Sequence, residues 1–76
     1  MVEMDLRGYE CPMPVVKTMK AIEKNPGEVI SVLVEKESSC DDISRMSQKK
    51  NYAVSVEKVS RDYRLTLTPP NSIKSH

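Results

Sequence analysis

The strongest strand pattern in the sequence runs from Glu28 to Glu35, where β-branched and apolar residues fall on both faces. A strand that is apolar on both faces is typical of the middle of a sheet. Shorter alternating patterns predict three further strands, one at residues 2–6 and two at residues 52–57 and 63–68. We therefore expect residues 28–35 to form the central strand of a small sheet.

Helix patterns precede and follow that strand. The first helix pattern follows the segment Cys11-Pro12-Met13-Pro14, and proline is favoured in the first helical turn because its missing N–H would have no partner there. Its apolar stripe comprises Val15, Val16, Met19 and Ile22. The turn residues Asn25-Pro26-Gly27 should end this helix.

The second helix pattern follows the central strand. Ser38 or Ser39 is the expected N-cap, with an aspartate three residues later as a capping box. Ile43 and Met46 supply a narrow apolar stripe, and Asn51 is the expected left-handed stop.

The resulting order is β-α-β-α-β-β. Because crossovers between parallel strands are right-handed, both helices should lie on one face of a mixed four-stranded sheet that ends in a hairpin. The sequence thus predicts an α+β protein, a two-layer α/β sandwich with a single domain over residues 1–70. Residues 71–76, after Pro69-Pro70, should form a loose C-terminal tail.

Composition excludes many kinds of site. A chain of 76 residues with 4% aromatic side chains can build one thin core and no deep pocket. The only histidine, His76, is the last residue, so Cys-His and Ser-His couples held by a rigid frame are excluded. Two cysteines without further ligands exclude a structural zinc site, and no metal or cofactor is expected.

Charge and hydropathy argue against two classes of partner. The net charge is +1, so no overall field points to nucleic acid or membrane, and direct nucleic-acid binding is not expected. The longest apolar run is far shorter than the ~20 residues of a membrane helix. Two cysteines 29 positions apart do not make a secreted disulfide framework, so the expected location is the cytoplasm.

Cys11 is the residue to which chemistry is most easily assigned. The proline that follows favours an extended conformation at Cys11, which is the geometry of a helix N-cap. There the helix dipole and unpaired N–H groups stabilise a thiolate, and Lys17 and Lys20 add positive potential. Met13, inside the same segment, is expected to be exposed and to make an apolar partner contact. The alternative is a capping cysteine without reactivity.

These residues resemble a known family. Asp5, Gly8 and the segment Cys11-Pro12-Met13-Pro14 are similar to the N-terminal signature of the TusA/SirA-like sulfur carriers. Lys17, Lys20, Gly27-Glu28 and Asp42-Ile43 also resemble family positions, and the resemblance spans about residues 4–68. Departures at Glu37-Ser38-Ser39 and Asn51-Tyr52 leave the subgroup, and therefore the partner, open.

The resemblance implies a small carrier that acts with partner enzymes. Cys11 would bear a sulfane sulfur as a persulfide, and Pro12 and Pro14 would position it. The sulfur donor would be a cysteine desulfurase or a rhodanese-like protein, and a downstream acceptor would receive the sulfur, for example on a route to tRNA thiolation. The implied fold is the same two-layer sandwich.

Cys40 follows the central strand as Cys11 follows the first strand. If the two strands are parallel neighbours, both sulfurs could lie on one rim of the sheet. Cys40 is therefore a candidate second thiol that resolves a persulfide or forms a reversible disulfide. The alternative is a small apolar filler at a helix start. Two other functions also stay open: a regulatory or binding module with a structural Cys11, and a redox switch that uses both cysteines.

Overall fold

The computed structural model describes residues 1–10 and 12–70, which contain four strands and two helices. In chain order the elements are β1 (Val2–Asp5), α1 (Met13–Lys24), β2 (Ile30–Val34), α2 (Glu37–Lys49), β3 (Ala53–Val59) and β4 (Asp62–Thr68). The predicted order β-α-β-α-β-β is confirmed. The predicted tail, residues 71–76, lies outside the described residues, and the domain bounds stay a prediction.

The four strands form one mixed sheet in the order β1-β2-β4-β3. Strand β1 is parallel to β2, whereas β4 is antiparallel to both β2 and β3. Strand β2 therefore has a neighbour on each side, which confirms its predicted central position. Strands β1 and β3 are the two edges of the sheet.

The helices cover one face of the sheet, and the core lies between the two layers. Along β2 the residues facing the helices, Ile30, Val32 and Val34, are buried, whereas Ser31 and Leu33 on the opposite face are only partly buried. Other buried apolar residues come from both layers, namely Leu6, Ala21, Ile22, Cys40, Ile43, Tyr52, Leu65 and Leu67. The opposite face carries exposed polar residues, among them Glu3, Asp5, Ser55, Glu57 and Arg64. This arrangement confirms the predicted α+β two-layer sandwich.

Helix α1 buries a stripe that shares Ile22 with the predicted one but otherwise differs from it. Its buried residues are Pro14, Thr18, Ala21 and Ile22. Val16 and Met19, which the apolar pattern assigned to the core, are only partly buried. Thr18 can take the central position because its hydroxyl donates to the carbonyl oxygen of Pro14 (2.8 Å) and is thereby satisfied within the helix.

Helix α2 starts earlier than predicted. Lys36 is the N-cap in an extended conformation, and no side chain forms a cap hydrogen bond. The predicted serine N-cap and capping box are therefore wrong, since Ser38 and Ser39 lie within the first helical turn. The earlier start places Ser39, Cys40, Ile43 and Ser47 on the one face that packs on the sheet. The predicted stop is confirmed, because Asn51 has φ 66°.

Neither helix in the part of the chain that the structure describes is long and apolar enough to cross a membrane.

Candidate functional site

The Cys-Pro-Met-Pro segment joins the loop after β1 to the first residues of α1, and backbone hydrogen bonds hold both ends of that loop. At the start, the N–H of Leu6 donates to the carbonyl oxygen of Leu33 in β2 (2.8 Å). At the end, the N–H of Met13 donates to the carbonyl oxygen of Glu10 (2.8 Å). Gly8 lies between them with φ 89°, a left-handed conformation that favours glycine. The loop is thus attached to the sheet at its start and to the beginning of α1 at its end.

Helix α1 begins one residue later than predicted. Pro12 is the N-cap and Met13 the first helical residue. Pro12 has no N–H to donate, but its carbonyl oxygen accepts the first helical hydrogen bond, from Val16 (3.1 Å). The expected N-cap, Cys11, lies outside the described residues, and its thiolate role stays a prediction.

The two prolines differ in burial. Pro12 is exposed at the helix end, whereas Pro14 is among the fully buried side chains. Pro14 occupies the first helical turn, where its missing N–H removes no helical hydrogen bond. Met13 between them is 41% exposed, so the expected exposure of this side chain is confirmed. The buried ring of Pro14 anchors the helix start, and the exposed residues beside it remain accessible to a partner.

Arg7 connects the loop to two strands. Its guanidinium pairs with Asp5 through Nη2 and Oδ2 (2.8 Å), and with Asp62 at the start of β4 through Nη1 and Oδ2 (3.1 Å). The backbone N–H of Arg7 also donates to Oδ1 of Asp5 (3.1 Å). Hydrogen bonds from the side chain and then the backbone of Arg7 lower the pKa of Asp5 to about 2.

The ion pair of Asp62 with the loop was not foreseen. Arg7 and Asp62 are separated by 55 positions, and no local pattern in the sequence links them. Asp62 is the first residue of β4. Only the antiparallel pairing of β4 with β2 brings it to the end of the sheet at which β1 also ends.

Lysines from two helices surround the loop. Lys36, the N-cap of α2, places Nζ 3.4 Å from Oε1 of Glu10, the residue before Cys11 in the chain. Lys17 places Nζ 4.9 Å from the centre of the Tyr9 ring, and Lys20 is exposed on the next turn of α1. Sequence reasoning named Lys17 and Lys20 but missed Lys36. The strand-end argument applied to Cys40 would have found it, because Lys36 is the second residue after the same strand.

Cys40 lies in the core and not on the rim. Its side chain is 5% exposed, and its thiol is free of any disulfide. Burial raises the pKa of the Cys40 thiol above its usual value, and the neighbouring charges of Asp41 and Glu37 raise it further. Both effects disfavour a thiolate, so the geometry favours the filler alternative. The second-thiol hypothesis now requires α2 to open locally.

Comparison with known proteins agrees with this architecture. The family model for the sulfurtransferase TusA matches residues 2–68. The chain belongs to the TusA family. A crystal structure of a SirA-like protein from Desulfitobacterium hafniense matches it with a TM-score of 0.83 at 28% identity, covering 90% of this chain and 96% of that one. The predicted TusA/SirA-like resemblance is confirmed.

Two archaeal relatives of this TusA-family chain bear the name "Putative sulfur carrier protein". The one from Archaeoglobus fulgidus is 39% identical over 66 residues, which cover 83% of this chain and 88% of the relative. The one from Methanocaldococcus jannaschii is 36% identical over 55 residues, which cover 71% of this chain and 73% of the relative.

Proposed function

We propose that this TusA-family protein is a sulfur carrier that holds a sulfane sulfur as a persulfide on Cys11. The proposal rests on the structure of the α1 start, where the exposed residues Pro12 and Met13 lie next to the buried Pro14. The residue on the other side of Cys11, Glu10, is also exposed. A cysteine whose neighbours in the chain are all accessible suits transfer between two protein active sites.

The charges near the α1 start support a reactive thiolate. The first turn of α1 contains no acidic residue, and the N–H groups at a helix start carry partial positive charge. Glu10, the acidic residue that adjoins Cys11, is paired with Lys36. A thiolate at this position is the species that attacks sulfur, and it forms more readily as the thiol pKa falls.

The transfer requires neither a general base nor a cofactor. The Cys11 thiolate attacks the outer sulfur of a donor persulfide, and the sulfur–sulfur bond of the donor breaks. The electron pair of that bond leaves on the donor's thiolate, while a new sulfur–sulfur bond forms at Cys11. An acceptor thiolate then repeats the attack on the outer sulfur of the carrier. The sulfane sulfur keeps its oxidation state throughout, so no external oxidant or reductant is consumed.

The partners follow from this chemistry. The donor is a protein with a cysteine persulfide, of the cysteine desulfurase or rhodanese-like kind, and the acceptor presents a second thiolate. We propose the cytoplasm as the location, because reduced thiols persist there. Delivery toward tRNA thiolation is the proposed route, by transfer to an acceptor protein and without direct binding of RNA by this chain.

Mass spectrometry of the intact protein tests the proposal. After incubation with a cysteine desulfurase and cysteine, we expect a mass gain of ~32 Da, one sulfur atom, that reducing agent removes. Cys11→Ala should abolish the gain. Cys40→Ala is the matched control and should retain it.

Two results would contradict the carrier function. One is the absence of any adduct on the parent protein with both a desulfurase and a small-molecule persulfide as donor. The other is an adduct of the same size on the Cys11→Ala variant. A Cys11 thiol that titrates near the ~8.5 of free cysteine, together with no adduct, would favour the binding-module alternative.

A further inference from the structure

A groove of about 400 Å³ runs between the edge strand β1 and helix α1. Its strand side is lined by the partly buried apolar side chains Val2 and Met4, and Tyr9 closes the end nearest the α1 start. Its helix side presents three lysines at helical spacing, namely Lys17, Lys20 and Lys24. The groove thus combines an apolar floor with a basic wall.

The charge of the groove is not neutralised within the part of the chain that the structure describes. None of the three lysines forms an ion pair with a described carboxylate. The one acidic residue that lines the groove, Asp5, is paired with Arg7 (2.8 Å). The groove therefore offers positive charge to a molecule that carries negative charge.

The strand side of the groove is an open sheet edge. The backbone N–H groups of Val2 and Leu6 donate to Val29 and Leu33 toward β2 (2.8 Å each). Because successive N–H groups of a strand point to opposite sides, those of Glu3 and Asp5 point away from the sheet. No other described strand pairs with this edge of β1. Such an edge can accept an additional strand from another protein.

We propose that this groove binds an extended acidic segment of the protein that exchanges sulfur with Cys11, added as a strand along β1. The proposal rests on the carrier function above, since it names the chemistry of the partner for the same site. Tyr9, at the end of the groove, is two residues before Cys11 in the chain, so a segment bound here brings its protein next to the segment that carries Cys11.

The sheet geometry also specifies the pattern of the segment. In an added strand, alternate side chains would lie on the helix side, beside Lys20 and Lys24, and the others on the open face of the sheet. The open face of β1 already carries Glu3 and Asp5, and like charges on neighbouring strands destabilise the pair. The segment should therefore carry acidic residues at every second position and neutral residues between them.

NMR titration with a synthetic peptide tests this inference. The probe is a capped peptide of about eight residues that alternates glutamate with threonine, long enough to pair with the whole of β1. We expect saturable shifts of the Glu3 and Asp5 amide signals and of the α1 lysine region. The double variant Lys20→Glu/Lys24→Glu should weaken binding roughly tenfold or more, because two attractions become repulsions. Added salt should weaken binding as well.

The matched control is the double variant Lys49→Glu/Lys50→Glu, which reverses the charge of two exposed residues at the end of α2. It should leave the peptide affinity unchanged. The milder variant Lys20→Gln/Lys24→Gln covers the case in which charge reversal disturbs folding, which the same spectra would reveal. A peptide that alternates lysine with threonine should not bind. The inference is overturned by no saturable shifts, by shifts confined to α2 and β3, or by equal affinity for the two peptides.

The peptide test is independent of the carrier function. It does not involve the thiol, whereas loading of the parent protein with a small-molecule persulfide involves the thiol and no partner segment. Loading without peptide binding overturns the groove inference alone. The absence of loading on Cys11 from any donor overturns the carrier function.

Discussion

The two connections from a parallel strand to a helix differ in where the cysteine stands relative to the start of the helix. Both β1 and β2 end at the same edge of the sheet, and each is followed by a helix with a cysteine near its start. In the first connection Cys11 precedes the N-cap Pro12. In the second, α2 begins at Glu37, so that Cys40 is already the fourth helical residue and lies in the core.

The burial of Cys40 shows that helical phase, and not strand topology, decides whether a cysteine near a helix start reaches the surface. Strands β1 and β2 are parallel neighbours, which is the condition for both sulfurs to lie on one rim of the sheet. Helix α2 nevertheless turns Cys40 toward the sheet. The rim position of the second connection belongs instead to Lys36, which reaches Glu10. The second connection thus contributes a positive charge, and not a thiol, to this end of the sheet.

Alkylation rates test the predicted difference between Cys11 and Cys40 most directly. At neutral pH, iodoacetamide should modify Cys11 roughly 100-fold faster than Cys40, because the Cys40 thiol is buried and its pKa is raised, so that reaction requires local opening. Mass spectrometry of proteolytic peptides measures both rates. In denaturant the two rates should converge, and equal rates in the native protein would show that Cys40 is not protected.

Truncation of Cys40 tests its role in the core. Cys40→Ala should lower the free energy of unfolding by about 1 kcal/mol, because it leaves a small cavity between α2 and the sheet. Urea denaturation measures the change. Ser38→Ala, at an exposed position in the same helical turn, should change stability by less than about 0.5 kcal/mol. If the two variants are equally stable, the side chain of Cys40 contributes nothing to packing.

Removal of the Arg7 ion pairs tests whether they stabilise the loop between β1 and α1. Arg7→Gln should accelerate amide hydrogen exchange at Gly8 and Tyr9 roughly threefold, because the loop loses its links to Asp5 and Asp62. The control is Arg61→Gln, an exposed arginine in the β3–β4 turn without an ion pair among the described residues. Unchanged exchange in Arg7→Gln would mean that backbone bonds alone hold the loop.

Acid titration gives the smallest expected effect. The pKa of Asp5 is lowered from 3.8 to about 2, so its ionised form stabilises the folded state above pH ~4, and this contribution is lost as the pH falls through about 2. The melting temperatures of the parent and of Asp5→Asn should therefore differ at pH 5 and converge near pH 2.

The control for this titration is Glu3→Gln, which removes a carboxylate from the same strand without removing an ion pair. It should not show the same convergence. A difference between the parent and Asp5→Asn that stays constant down to pH 2 would contradict the depressed pKa.

Hydrophobic periodicity was sufficient to predict the helices and strands and their arrangement in two layers. The both-faces apolar pattern of residues 28–35 identified the central strand, and Asn51 marked the end of α2, because these signals are local to a few residues. Local patterns were less reliable for the helix faces. Thr18 is at the centre of the α1 interface although it is polar, since its hydroxyl is satisfied inside the helix.

Three features of the site depended on contacts between distant parts of the chain. The pairing of Arg7 with Asp62 joins residues 55 positions apart, and that of Lys36 with Glu10 joins residues 26 positions apart. The groove beside β1 exists because β1 is an edge strand and α1 packs next to it. Local sequence patterns relate residues only a few positions apart, so they cannot predict such contacts.

The element order, the central strand and the family resemblance of the Cys-Pro-Met-Pro segment could all be predicted from the sequence. Tertiary structure decided that Cys40 belongs to the core and that the basic side chains of α1 border an open strand edge. The physical reason is that side-chain burial depends on where each helix starts relative to the sheet, and only the packing of the two layers sets that phase.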